Sequence, residues 1–189
     1  MRYDAIVIGV SAGGIKALPA VLSPLPRSFP VPLLIVQHRP LEADNYLERH
    51  LGKVCQIEIK EASDKEPLRP GVAFIAPAGY HLLVEADHVV ALSVDPPVHH
   101  ARPSIDVLFE SAAEVFRNRL VGVLLTGAGY DGAHGLSIIR KYGGLTLVQD
   151  PETAEIGFLP QYAIESGQVD CILPLTRIAE HLIELTSEI

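Results

Sequence analysis

Short apolar runs alternate along the chain with stretches whose apolar positions recur at helical spacing. The runs are nearly continuous and rich in β-branched residues, which is typical of strands buried on both faces of a sheet. The strongest examples are "YDAIVIGV", "VPLLIVQH", "LVGVLL" and "LTLVQD". Weaker strands are predicted at "QIEIKEA", "GVAFIAP" and "VDCILP", and the segment "HLLVEADHVVALSV" predicts a hairpin that turns at Ala86 and Asp87.

Helices are predicted between these strands. In "SIDVLFESAAEVF", apolar residues recur every three or four positions, and Ser104 is expected to cap the helix N-terminus. Further helices are predicted at "SAGGIKALPAVLSPL", "DNYLERHLG", Asp131 to Tyr142, within "PETAEIGFLPQYAIESG", and at "LTRIAEHLIELTSEI". Strands that alternate with helices imply a parallel sheet covered on both faces, and a length of 189 residues favours one domain over residues 1–189.

Composition narrows the classes of function. Hydrophobic residues make up 48% of the chain and charged residues 20%, as in a globular protein. The formal net charge of -8 argues against nucleic acid or an anionic membrane surface as the main partner, and the apolar runs are too short to insert across a membrane. Cys55 and Cys171 lie in apolar segments, and we expect two buried free thiols in a reducing, cytoplasmic environment.

Three strand ends carry reactive side chains, and in parallel α/β sheets functional sites lie at the carboxyl ends of the strands. Ser11 follows "IGV", His38 follows "IVQ", and Asp131 lies in the loop after "LVGVLL". Ser11 is the centre of a Gly-x-Ser-x-Gly turn, a pattern that exposes a nucleophilic hydroxyl between a strand and a helix. The Ala12 amide would then point at a developing oxyanion. The alternative is a serine that merely caps the helix.

The histidines supply a candidate general base. His38 lies where a base would stand, although a histidine at a strand end can also simply begin a polar loop. His99 and His100 are adjacent in an irregular loop, and their side chains are expected to point apart, which argues against a shared metal ion. We therefore predict no metal site, and no motif implies an organic cofactor.

The stretch "TGAGYDG" allows two interpretations. Gly127, Gly129 and Gly132 spell Gly-x-Gly-x-x-Gly, and Asp150 follows about twenty residues later, as in nucleotide-binding modules. However, Asp131 is expected in the first turn of the next helix, where a pyrophosphate would lie. Two like charges about 4 Å apart repel by about 4 kcal/mol at an effective dielectric constant near 20. The dipole of that helix would instead favour an ionised carboxylate, as an acid that orients an imidazole requires.

Ser11, His38 and Asp131 together predict a serine hydrolase triad. The aspartate would orient the imidazole, and the imidazole would take the serine proton. The order Ser, His, Asp along the chain differs from the usual orders of such triads, but the same geometry can recur under any order.

Five motifs occur in a fixed order along the chain: "IGVSAGG", "VQHRP", "ARPSIDVLFESAA", "GVLLTGAGYDGAHGL" and "VQDPETAEIGFLPQYAI". Together they resemble the catalytic domain of the chemotaxis protein-glutamate methylesterases, the CheB family. The resemblance implies a doubly wound, mostly parallel α/β sheet with helices on both faces and an antiparallel hairpin. It also implies hydrolysis of glutamate γ-methyl esters on the cytoplasmic helical domain of methyl-accepting chemoreceptors, and deamidation of receptor glutamines. The family's triad falls on Ser11, His38 and Asp131.

Two positions depart from the family pattern. The family usually has threonine after the nucleophile and methionine in the glycine turn, where this chain has Ala12 and Ala128. Both changes keep the backbone amides, so we expect them to alter substrate fit more than chemistry. The oxyanion is expected to be held by the turn at Ala12 and Gly13 and by the backbone of residues Gly127, Ala128 and Gly129.

The sequence says less about how the activity is controlled and how the substrate is attracted to the site. The family's usual enzyme has an N-terminal receiver domain, whereas this chain begins at the first catalytic strand. We therefore expect no receiver domain, and either a stand-alone esterase or control by a separate regulatory protein. Arg39 and Arg102 flank the predicted site and are expected either to attract an acidic receptor helix or to brace loops. The remaining alternatives are a hydrolase of another ester or amide and an inactive docking protein.

Overall fold

The computed structural model describes residues 3–187 and contains a mostly parallel α/β sheet. The strands are β1 (Ala5–Val10), β2 (Leu33–Gln37), β3 (Glu58–Glu61), β4 (Val72–Ile75), β5 (His81–Glu85), β6 (Val89–Ser93), β7 (Leu120–Leu124), β8 (Leu145–Gln149) and β9 (Cys171–Leu173). Within the described residues, seven parallel strands form one sheet in the order β3-β4-β2-β1-β7-β8-β9. The strand order changes direction between β1 and β7, which makes this crevice the topological switch point.

Helices cover both faces of the sheet. They are α1 (Gly14–Leu22), α2 (Tyr46–Val54), α3 (Ile105–Phe116), α4 (Ala133–Lys141), α5 (Phe158–Glu165) and α6 (Leu175–Thr186). Apolar residues of α1, α2 and α6 share one buried cluster, and those of α3, α4 and α5 share the other. The described part of the chain has no helix with the length and apolar character needed to cross a membrane.

Strand β1 shows why its sequence is apolar at every position. Ala5 and Val7 pack into the cluster under α3, whereas Ile6, Ile8 and Val10 pack into the cluster under α1. All of these side chains are fully buried. A strand that is covered on both faces has no solvent-facing position, so it loses the alternating pattern of a half-exposed strand.

The predicted hairpin is confirmed as a separate two-stranded antiparallel sheet. Strands β5 and β6 pair with Leu83 opposite Ala91, and the turn falls at the predicted Ala86 and Asp87. The hairpin packs on α3, where the Val84 amide donates to the Ser111 hydroxyl at 3.2 Å. The predicted C-terminal helix is also present, and its predicted last two residues lie outside the described range.

The two cysteines are less buried than predicted. Cys55 and Cys171 are free thiols, but both are partly exposed. Cys171 lies on the edge strand β9, and Cys55 follows the last residue of α2, so neither is enclosed on all sides. Partial burial still raises the pKa of the Cys55 thiol to about 11, which keeps that thiol protonated near neutral pH.

Candidate active site

The ends of three neighbouring strands bring the predicted site together. Ser11 directly follows β1, His38 directly follows β2, and Asp131 ends the loop after β7. Val10 pairs with Gln37 across β1 and β2, and the His38 amide donates to the Val10 carbonyl at 3.0 Å. Because β7 pairs with the opposite side of β1, all three chain segments emerge at the switch point.

The three side chains are joined by hydrogen bonds. His38 Nε2 lies 2.7 Å from Asp131 Oδ2, and His38 Nδ1 lies 3.2 Å from Ser11 Oγ. An ionised carboxylate can only accept, so the Asp131 contact requires the proton to be on Nε2. The lone pair of Nδ1 is then free to face the serine hydroxyl. This is the arrangement in which a histidine acts as the base for a serine nucleophile.

Asp131 is held by four donors. Its Oδ1 accepts from the Ser104 hydroxyl at 2.8 Å and from the Asp106 amide at 3.0 Å. Its Oδ2 accepts from the Ile105 amide at 2.7 Å, in addition to His38. Burial favours the neutral acid, but the hydrogen bonds from His38 and from these amides outweigh it and hold the pKa of Asp131 below its usual range. The carboxylate therefore stays ionised near neutral pH.

These contacts correct two predictions about helix ends. Asp131 does not lie in the first turn of its own helix, because α4 begins at Ala133 after Gly132, whose φ of 106° only glycine adopts without strain. Asp131 instead caps α3, so the dipole that favours its charge belongs to a different helix. Ser104 does not cap α3 with its own side chain, because its hydroxyl donates to Asp131.

The amides that a phosphate would need at the start of α4 are already occupied. Gly132 and Gly135 donate their amides to Asp106 Oδ1 at 2.9 and 2.7 Å. Asp150, expected at a ribose under the nucleotide-binding interpretation, accepts from the Glu152 amide at 3.0 Å and begins a short 3₁₀ turn. The geometry therefore gives no support to a nucleotide cradle in the glycine turn. Among residues 3–187, no cluster of three or more His, Cys, Asp or Glu side chains is arranged to hold a metal ion.

The turn after β1 leaves backbone amides beside Ser11 without an acceptor among the described residues. Gly13 has a φ of 87°, in the left-handed region that favours glycine, and it precedes the first residue of α1. The Ser11 carbonyl accepts from the Gly14 amide at 3.1 Å, which closes the turn. Within the described part of the chain, the amides of Ala12 and Gly13 have no acceptor. They are available to a developing oxyanion next to Ser11.

The three predicted oxyanion residues of the glycine turn behave differently. The Gly127 amide donates to the Ile156 carbonyl at 2.9 Å, so the prediction that this amide faces an oxyanion is wrong. Gly127 is needed for close packing instead, because a Cβ there would lie 2.7 Å from Ser11 Cβ. The amides of Ala128 and Gly129 have no acceptor among residues 3–187, and both residues line the cavity beside the triad.

Two open cavities flank His38. One, of about 610 Å³, is lined by Asp131, by Leu41 and by the loop of residues 97–103. The other, of about 540 Å³, lies over Ser11 and is bordered by an ion pair of Lys16 and Glu155 at 2.7 Å. His38 lines both cavities, and Ser11 lines the smaller one.

Arg39 and Arg102 both line the larger of these two cavities, but their guanidinium groups already have partners within the protein. Arg39 is 7% exposed and pairs with Glu48 at 2.8 Å and with Glu61 at 3.1 Å. Arg102 donates to backbone carbonyls of residues 94 and 95 at 2.7 and 3.1 Å. These contacts match the loop-bracing alternative. Attraction of an acidic helix by Arg39 is opposed by its two carboxylate partners, which neutralise its charge.

Gln37 is a site residue that the sequence reasoning missed. Its Nε2 donates to the Ser11 carbonyl at 2.8 Å and to the His38 carbonyl at 2.9 Å, which ties the turn at Ser11 to the end of β2 at His38. The side chain is 9% exposed. The available signal was a polar residue at the end of an otherwise apolar strand.

Together, the doubly wound sheet and the hydrogen-bonded serine, histidine and aspartate at its switch point have the architecture of an α/β serine hydrolase. The family described as CheB methylesterase matches residues 6–182. The chain belongs to the CheB methylesterase family, which confirms the resemblance inferred from its motifs.

Individual relatives agree with this assignment. The structure matches the crystal structure of the Thermotoga maritima CheB methylesterase catalytic domain with a TM-score of 0.94 and 34% identity, covering 98% of this chain and 100% of that one. A Leptospira interrogans protein is 51% identical over 98% of this chain and 96% of its own length, and its name carries methylesterase and glutaminase activities as a provisional assignment. A Clostridium acetobutylicum protein-glutamate methylesterase/protein-glutamine glutaminase is 38% identical, and the chain spans 53% of its length.

Proposed function

We propose that the protein is a protein-glutamate methylesterase that works as a serine hydrolase. The observation that carries the proposal is the continuous path of hydrogen bonds from Ser11 Oγ through the two ring nitrogens of His38 to Asp131. Relatives that are 38% and 40% identical to this chain are named protein-glutamate methylesterase/protein-glutamine glutaminase. The substrate class is taken from those names, and the chemistry from the site.

The reaction proceeds through an acyl-serine intermediate. His38 Nδ1 takes the Ser11 proton as the oxygen attacks the ester carbonyl, and the amide of Ala12 donates to the resulting oxyanion. Collapse of this intermediate expels the methoxy group, which leaves as methanol with the proton from His38. Water then attacks the acyl-serine, His38 takes its proton and returns it to Ser11, and a glutamate carboxylate is released. Asp131 stays ionised and stabilises the imidazolium at both stages.

The same acyl-serine can form from a glutamine side chain. In that case ammonia leaves in place of methanol, and hydrolysis again yields glutamate. We propose that both substrates are side chains on the cytoplasmic helical domain of chemoreceptors and that the protein acts in the cytoplasm. The two cavities beside His38 are open to the surface, which supports a substrate side chain presented by a larger body such as a receptor helix.

The test is demethylation of a receptor cytoplasmic fragment that has first been methylated by its methyltransferase, followed by mass spectrometry of the glutamate-containing peptides. The Ser11→Ala variant should lose at least about 10,000-fold in kcat, because the nucleophile of a triad is removed. Ser187→Ala, at the far end of α6, serves as the matched control and should keep full activity. Unchanged turnover by Ser11→Ala would remove the serine mechanism.

A fluorophosphonate probe separates the mechanism from the substrate. Such probes react with an activated serine hydroxyl whatever the natural substrate is. Labelling of Ser11 without demethylation of the receptor would keep the hydrolase and direct the search to another ester or amide. Failure of both reactions would favour an inactive docking protein.

A further inference from the structure

Two aspartates, Asp106 on α3 and Asp131 just before α4, each accept hydrogen bonds from amides at the start of the other's helix. Asp131 precedes α4 but accepts from the first amides of α3, at Ile105 and Asp106. Asp106 lies in the first turn of α3 but accepts from the amides of Gly132 and Gly135 at the start of α4. The amides at the start of each helix therefore donate to a carboxylate from the other segment.

These hydrogen bonds connect Asp106 to the Asp131 segment at two points. The Asp106 amide donates to Asp131 at 3.0 Å, while the Asp106 carboxylate accepts at 2.9 Å from Gly132, the residue after Asp131. One residue therefore holds both the carboxylate of Asp131 and the backbone next to it. Little freedom remains for Asp131 to move relative to His38.

Asp106 also reaches the wall of the substrate cavity. Its Oδ2, which no donor meets with hydrogen-bond geometry among residues 3–187, lies 3.3 Å from His99 Nε2. His99 lines the cavity of about 610 Å³ and packs edge-on against the Tyr130 ring, with ring centroids 4.9 Å apart. The loop of residues 97–103 is thereby connected to the same carboxylate that holds the start of α4.

Burial of the Asp106 carboxyl beside Asp131 carries an electrostatic penalty. Asp106 is 2% exposed and lies next to a second buried carboxylate, Asp131. Burial and this neighbour raise the pKa of Asp106 to about 6, although the Gly135 and Gly132 amides and His99 act in the opposite direction. An uncharged asparagine could accept from the same two amides without that penalty. The penalty therefore comes from the charge, whereas the two hydrogen bonds to the start of α4 need only an acceptor oxygen.

We propose that Asp106 is a positioning residue for the hydrolysis: through its contacts with Gly132, Gly135 and His99 it fixes the Asp131 carboxylate against His38. The inference deepens the proposed function and concerns the same site. Asp106 does not touch the reacting atoms and acts through Asp131.

The test is a double-mutant cycle read by the rate of fluorophosphonate labelling at Ser11, which requires the triad but no receptor. Asp106→Ala should slow labelling by about 100-fold, since a misplacement near 1 Å of a catalytic group costs about that much. In the Asp131→Asn background, the same change should have almost no further effect, because its action passes through Asp131. A role in folding alone predicts the same loss in both backgrounds and would overturn the proposal, as would full activity of Asp106→Ala.

Conservative and matched variants complete the cycle. Asp106→Asn should recover most of the labelling rate, because an amide oxygen still accepts from Gly132 and Gly135. Glu110→Gln removes a carboxylate one turn later on α3, which contacts His134 at 3.6 Å, and should leave the rate unchanged. If Asp106→Ala does not fold, Asp106→Ser, whose hydroxyl can cap a single amide, replaces it in the same cycle. Rapid labelling of the wild type without receptor demethylation would reject the substrate while leaving this inference open to its own test.

Discussion

At the scale of single residues, the site depends on polar side chains that satisfy partly buried backbone groups. Gln37 is an example, since one amide group serves the carbonyls of both Ser11 and His38. Without Gln37 the Ser11 carbonyl keeps the Gly14 amide as a donor, but the His38 carbonyl loses the one donor that it has within residues 3–187. A partly buried carbonyl left without a donor costs up to about 1–3 kcal/mol. Gln37 therefore bears on stability and on the placement of two catalytic candidates at once.

We predict that Gln37→Met, which keeps the volume but removes the donors, lowers the free energy of unfolding by about 1–3 kcal/mol. It should also slow labelling of Ser11, because the turn of the nucleophile is no longer tied to the strand end of His38. Urea unfolding and labelling kinetics measure the two effects. Gln161→Met is the control, since Gln161 is exposed on α5 and its bond to Glu165 joins two surface side chains. A stability loss in Gln37→Met no larger than in this control would contradict the prediction.

That Ser11, His38 and Asp131 lie together could be predicted, because each comes after a strand whose apolar run ends clearly. The helix that Asp131 caps could not be predicted in the same way. Its partners Ile105 and Asp106 precede it by 26 and 25 residues, and nothing in the local pattern states which helix end will lie beside the loop. The contact depends on how α3 and α4 pack, which is a tertiary property.

At the scale of elements, the glycine turn between β7 and α4 is shaped by close packing. A Cβ at Gly127 would lie 2.7 Å from Ser11 Cβ and 2.8 Å from Leu159 Cδ2. Gly129, by contrast, has open space around it but a φ of 93°, so its glycine is needed for conformation. The Gly-x-Gly-x-x-Gly pattern thus arises from different local requirements and not from phosphate binding.

We predict that Gly127→Ala displaces the nucleophile and slows Ser11 labelling by about 10- to 100-fold, because a small misplacement of a reacting group is costly. The same substitution at Gly52, in the last turn of α2 with no neighbouring atom within 4 Å of the new Cβ, should raise the free energy of unfolding by about 0.5–1 kcal/mol. Labelling kinetics and urea unfolding of both variants provide the comparison. Equal labelling rates in the two variants would show that the turn tolerates a side chain.

The elements themselves were largely predictable, because continuous apolar runs and helical spacing both come from burial within one element. The boundaries were less so. The predicted start of α4 at Asp131 falls two residues before the observed start at Ala133, since Gly132 takes a left-handed conformation. The partners that brace Arg39, which are Glu48 and Glu61, could not be predicted either, because they come from other elements.

At the scale of the whole molecule, the two buried aspartates affect stability in opposite directions as pH changes. The lowered pKa of Asp131 means that its contribution is present above its unfolded value and is lost as pH falls through the folded value. The pKa of Asp106 is raised to about 6, so its contribution is present at low pH and is lost as pH rises from about 4 to about 6. Near neutral pH the ionised Asp131 therefore still stabilises the fold, whereas the stabilising contribution of a protonated Asp106 has been lost.

We predict that Asp106→Asn gains stability relative to the wild type as pH rises from about 4 to about 7, by an amount on the order of 2 kcal/mol, because the variant has no carboxyl to ionise in the buried site. Asp131→Asn should show the opposite trend: it is less stable than the wild type near neutral pH, and the difference narrows as pH falls below about 4. Urea unfolding of the three proteins across this range gives both differences directly. A constant offset between Asp106→Asn and the wild type at every pH would mean that Asp106 ionises in the fold as easily as in the unfolded chain, and that its burial beside Asp131 carries no electrostatic cost.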